Sequence, residues 1–280
     1  MSDAFPTFAT PRAPESPGFS WPRFMRLVLA HWAEQRSQHL AHLLVCGMLY
    51  IVLLLFLLGV SSFGAFRTGM QSALYFGGLY LTGFVFAGRY FNAMAQRESA
   101  LLALMRPASV LEKWLLCLVV VAIAYPVAYS LLYLVITWPV QQMAVAVLAA
   151  LEPQTFKPQD FALFLPLAPP SDWRELSLRQ QLAFLVALWA VQAFAVSGSL
   201  YFSRAALLKT LALGFGLFAL TSLLASLAGM RGEVMVAWWT SRRSVRLDVW
   251  VHALNAALWI GLPMLLWLQA YMHLKEKELQ

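Results

Sequence analysis

The chain has 280 residues, of which 61% are hydrophobic and 12% charged, with a net charge of +7. An ordinary soluble domain carries about 25% charged residues, so this composition excludes a water-soluble globule of one or two domains. The positive balance does not mark a nucleic-acid binder: no basic run with interleaved aromatics occurs, and most basic residues flank apolar stretches.

Residues 1–20 are rich in Pro, Ser and Ala and are expected to form a disordered tail. Ser20-Trp21-Pro22 then reads as a helix start, with a capping hydroxyl and Pro in the first turn. Over residues 21–38, helical spacing places Trp21, Phe24, Met25, Val28 and Trp32 on one face and Arg23, Arg26 and Glu34 on the other. That amphipathic pattern predicts a helix lying in the membrane interface. A short soluble helix packed on the inner loops has the same signature.

Residues 39–273 contain six apolar stretches: Ala41–Val60, Met70–Gly88, Trp114–Ile136, Leu182–Phe202, Thr210–Met230 and Val249–Ala270. None holds an Asp, Glu, Lys or Arg. A helix of about 20 residues crosses a hydrocarbon core of about 30 Å and satisfies its own backbone. The expected fold is therefore all-α, with six transmembrane helices after the interfacial one and a short tail at 274–280. No charged segment, short apolar run and cleavage site precede Ala41, so the first span is expected to act as an uncleaved anchor. Carriers coupled to ions or protons usually keep ionisable groups at mid-membrane, so spans without acids or bases point to energy supplied from outside the bundle.

Six spans put both termini on one side. Termini in the cytoplasm leave twelve Lys and Arg inside and eight outside, the direction of the positive-inside rule, although the cluster Arg242–Arg246 opposes it. The outer loop 137–181 is the longest connection; a surface helix is expected over Val140–Leu151, and five prolines from Pro153 to Pro170 predict irregular structure beyond it. Phe161–Leu165 is too short to span and is expected to dip into the interface. Pro126 and Pro263 are candidate kinks. Gly83/Ala87, Ala212/Gly216, Ser222/Ser226 and Ala225/Gly229 form small-xxx-small pairs, suited to packing within the subunit or at a dimer seam.

The inner loops carry the most specific pattern. Residues 90–105 predict a helix that Pro107 ends, and Ser109-Val-Leu-Glu112 reads as a capping box opening span three. The result is a helix–break–helix elbow carrying Arg97, Glu98, Arg106, Glu112 and Lys113. Such an elbow can pass on a push from a soluble partner, or it can be a stable junction with solvated charges. Gly198–Thr210 joins spans four and five through a very short turn, with Arg204 and Lys209 as interfacial anchors.

Arg106-Pro-Ala-Ser-Val-Leu-Glu-Lys-Trp114 resembles the P-A-S-x-x-E-K element after the second span of type-2 ABC exporter permeases, and Gly198–Thr210 is similar to their turn between spans four and five. The motifs cover about 30 residues, and the six-span layout covers most of the chain. The resemblance implies a permease subunit in a bacterial inner membrane. It would pair with a second permease subunit, identical or different, and dock an ATPase subunit in trans. Arg97, Glu98, Arg106, Pro107, Ser109, Glu112, Lys113, Arg204 and Lys209 would transmit the movement, and the helix at Trp21 would be the connecting helix. The long Pro-rich outer loop departs from the family pattern.

The chain has no G-x-x-x-x-G-K-[ST] loop and no H-E-x-x-H, and Ser197-Gly-Ser199 lacks the glycine of a nucleophile elbow. His39 and His42 read as interfacial, His252 and Asn255 as polar contacts inside the bundle or facing a cavity, and Cys46 and Cys117 as packed free thiols. The chain is therefore expected to use no cofactor or metal and to hydrolyse no ATP itself. A non-transporting scaffold that recruits soluble partners through the same loops is the alternative.

Overall fold

The computed structural model describes residues 18–61, 66–91, 108–151, 154, 157–168, 176–202, 205–227 and 249–279. Every regular element among them is helical. Helix α1 is Trp21–Ser61 and α2 is Thr68–Tyr90; α3 (Val110–Leu118), a π turn (Val119–Ala124) and α4 (Tyr125–Leu151) form one rod. A short 3₁₀ turn at Pro158–Phe161 precedes α5 (Leu178–Tyr201) and α6 (Ala206–Leu227). A second rod joins α7 (Val249–Ala256), a π turn (Ala257–Gly261) and α8 (Leu262–Leu279).

Five helical stretches are long and apolar enough to cross a membrane: Trp21–Val60, Val110–Leu151, Leu178–Tyr201, Ala206–Leu223 and Val249–Glu276. Helix α2, where the second span was expected, has the length at 23 residues. Its Gln71, Ser72, Thr82 and five glycines dilute the apolar run. Large apolar side chains are exposed all along the outer faces, among them Leu55, Phe56, Phe215 and Phe218. Water would penalise such surfaces heavily, and a bilayer suits them.

Helix α1 departs from the expected break between interfacial helix and span. It runs unbroken for 41 residues, about 60 Å, or twice the hydrocarbon core. Helix α4 likewise continues through Pro139 to Leu151 instead of ending near Ile136, and α8 extends through most of the expected tail.

Helix α5 is the hub, packed between α2 and α8 with α6 alongside. Its C-terminal half is buried on nearly all sides, from Gln192 to Leu200, against Cys117, Val121, Trp267, Ala270 and Leu274. Pro126 and Pro263 each lie two residues beyond a π turn. A proline removes one donor and pushes away the carbonyl four residues earlier, and the wider π turn absorbs that crowding. For Pro126 the displaced carbonyl is Ala122, and it accepts the indole N–H of Trp189 from α5 at 2.9 Å. The neighbouring Val121 carbonyl accepts the Gln192 amide at 3.0 Å. The backbone defect thus becomes the hydrogen-bonded contact between the rod and the hub.

At Gly198 α5 and α6 approach closely enough that an added Cβ would overlap Thr210. Gly77 on α2 has open space around it. Gly198→Ala is expected to destabilise the bundle by about 1–3 kcal/mol through overpacking. Gly77→Ala should leave it unchanged or raise it by up to about 1 kcal/mol through helix propensity. Thermal unfolding of the two detergent-solubilised variants checks this ordering.

Candidate functional site

The expected capping box is formed. Ser109 Oγ accepts the Glu112 N–H at 3.3 Å, and Glu112 Oε2 accepts the Ser109 N–H at 3.0 Å. The same carboxylate also reaches outside its own helix. Glu112 Oε1 accepts the Ser20 N–H at 2.9 Å, and Arg23 Nε lies 2.9 Å from Oε1 and 2.8 Å from Oε2. Arg23 donates onward to the Gly18 carbonyl. Glu112 has no solvent exposure and the Arg23 side chain keeps 11%.

Each part of this arrangement has a local cause. Ser20 stands immediately before α1, its carbonyl accepting the Phe24 N–H at 2.9 Å, and Pro22 follows in the first turn, where a missing donor costs nothing. Phe24 and Leu27 then bury against Leu116, with Val28, Leu115 and Val120 around them. Two helix N-termini therefore meet at one carboxylate. Their unpaired amides and positive dipole ends favour an anion there, and the guanidinium supplies the countercharge.

Among the expected coupling residues, Ser109 and Glu112 form this node and Lys113 lies buried beside it. Lys209 sits at the α5–α6 turn with its ammonium 5.6 Å from the Phe202 ring centre. That turn includes Ala205 in the left-handed region at φ 53°. Arg97, Glu98, Arg106, Pro107 and Arg204 lie outside the described residues. The apolar face expected of residues 21–38 divides: Phe24 is buried and Val28 half-buried, while Trp21, Met25 and Trp32 are exposed.

The interior carries polar groups that periodicity does not reveal. Tyr50, Tyr75, Tyr125, Tyr129 and Tyr133 share one buried cluster. Tyr50 Oη lies 3.1 Å from Thr137 Oγ1, and Tyr75 Oη lies 2.7 Å from Ser130 Oγ. Buried Gln71, Gln141, Gln181 and Gln192 bond to carbonyls of other segments. On α1 the Nε2 atoms of His31 and His39 are 3.2 Å apart. His42 lies on the same helix, beside the rings of Phe86 and Tyr125. Asn255 donates to the Val251 carbonyl of its own helix at 2.8 Å. Cys46 and Cys117 are buried free thiols, and among the described residues no three His, Cys, Asp or Glu side chains converge as a metal site.

No protein-family model matches this chain, and no curated protein or solved structure matches it.

Glu112→Ala is expected to lower stability by about 3 kcal/mol, because it strands a largely buried guanidinium and two helix N-termini. Ser109→Ala removes one cap and should cost about 1 kcal/mol. Thermal unfolding in detergent orders the pair, and equal losses would contradict the node.

Proposed function

We propose that this chain is the membrane subunit of a bacterial ABC-type exporter, driven by a separate ATPase. In this reading α2 is the remaining span, six helices cross the inner membrane, and both termini face the cytoplasm. The observation that supports it most is the Glu112 node. It joins the start of α1 to the start of the α3 rod, so a push on the inner surface moves two spans together. The segment 97–107, which leads into the node and its buried Lys113, would receive that push, with Arg204 and Lys209 as a second contact. Substrate passes through the bundle or along the seam of a dimer. The outward positions of Ala212, Gly216 and Ser222 on α6, none of them buried, suit such a seam.

Coexpression with an ATPase from the neighbouring reading frame is expected to yield a complex whose ATP hydrolysis rises with this chain present. Arg23→Ala should lower that stimulation about tenfold, the size of a typical coupling between sites, while the complex still copurifies. ATP hydrolysis indifferent to this chain would overturn the reading.

A further inference from the structure

At the end of the bundle remote from Glu112, the segment 157–168 is held from three helices. From α2, Thr68 Oγ1 donates to the Ala162 carbonyl at 2.9 Å. Gln71 uses both ends of its amide: Nε2 donates to the Ala162 carbonyl at 3.2 Å, and Oε1 accepts the Phe164 N–H at 3.0 Å. From α4, Gln141 donates to the Phe161 carbonyl. From α5, Gln181 Oε1 accepts the Leu167 N–H at 2.7 Å, and Nε2 donates to the Ala168 carbonyl at 3.1 Å. All three glutamine side chains are buried.

These contacts press one side chain inward. Phe164 is 3% exposed, with its ring 5.6 Å from Tyr75 and 6.0 Å from Phe76. It is therefore part of the same buried core as Tyr50, Tyr75, Tyr129 and Tyr133, and it covers that core at this end. Two features mark the closure as under tension. Leu167 sits in the left-handed region at φ 62°, which a branched side chain disfavours. Buried Gln141 Oε1 has no hydrogen-bond donor among the described residues, a state that costs free energy.

The geometry points to segment 157–168 as a plug, with Phe164 as its stopper and the Gln71, Gln141 and Gln181 amides as its latches. The latches are side chain-to-backbone hydrogen bonds to an irregular strap, so the plug can leave while the helices stay packed. Opening exposes Tyr75, Tyr133 and Gln71 to the compartment on that side. The inference stands on these contacts alone; under the exporter reading, this end is the exit.

Cysteine labelling tests it, because Cys46 and Cys117 are buried and give a low background that rises only on unfolding. In the purified full chain, Phe164→Cys should react slowly with a polar maleimide, while Leu167→Cys, at a position 53% exposed, reacts fast. Adding Gln71→Leu should speed labelling at 164 about tenfold, the effect of losing one or two net hydrogen bonds on a local opening, without labelling Cys117. Should Gln71→Leu unfold the chain, Thr68→Val removes a bond from the same strap and must give the same direction. Fast labelling at 164 in the otherwise native chain, or a rate that neither latch variant changes, overturns the plug. Adding the ATPase and ATP tests the exporter reading separately: if latch variants speed labelling but nucleotide does not, the plug stands and its coupling to ATP falls.

Discussion

A carboxylate removed from solvent survives only where its charge is answered, and Glu112 is answered by Arg23, two backbone amides and two helix N-termini. Much of the architecture at this end of the bundle depends on that balance. A neutral side chain at position 112 leaves a cation and several donors in a largely buried pocket, which is far costlier than losing a surface ion pair. The carboxylate also fixes an orientation. Its own helix is capped by it, and the amino end of α1 is anchored to it, so the first 41-residue helix and the following rod start from one shared point.

The far end of the bundle is organised by neutral polar groups. Glutamines and tyrosines there bond to backbone carbonyls and to each other, giving directional contacts in a medium where apolar packing alone discriminates poorly. Between the two ends, Pro126 loosens the rod beside the Ala122 carbonyl, and α5 satisfies that carbonyl through Trp189. The hub is thus tied to the rod where the rod's own hydrogen bonding is weakest. Charge at one end, amides at the other and a repaired defect between them give the bundle distinct mechanical parts.

Much of this was legible in the residues. Apolar runs of about 20 residues located the helices because a bilayer imposes that length. Ser109 and Glu112 announced their capping box because it is local, three residues apart. A second capping box, Ser177 with Gln180, is equally local. The partner of Glu112 was not: Arg23 is 89 residues away, and helical spacing placed it on a polar face with no sign of what it meets. Periodicity also placed Phe24 with Trp21 and Trp32, yet only Phe24 turns inward, since the choice depends on Leu116. The glutamines were visible as rare polar residues in or beside apolar helices, but their targets are backbone carbonyls, which no side-chain pattern encodes. The third span, expected to end at Ile136, and the surface helix expected over Val140–Leu151 are one helix that runs through Pro139.

Arg23 and Glu112 act as one unit. A double-mutant cycle with Arg23→Ala, Glu112→Ala and the double variant, read by reversible unfolding in mixed micelles, measures it most directly. The double variant should be less destabilised than the sum of its singles, by about 1.5 kcal/mol or more, in the range found for contacting pairs. Additive losses would mean that the two side chains are not coupled, and would contradict that expectation.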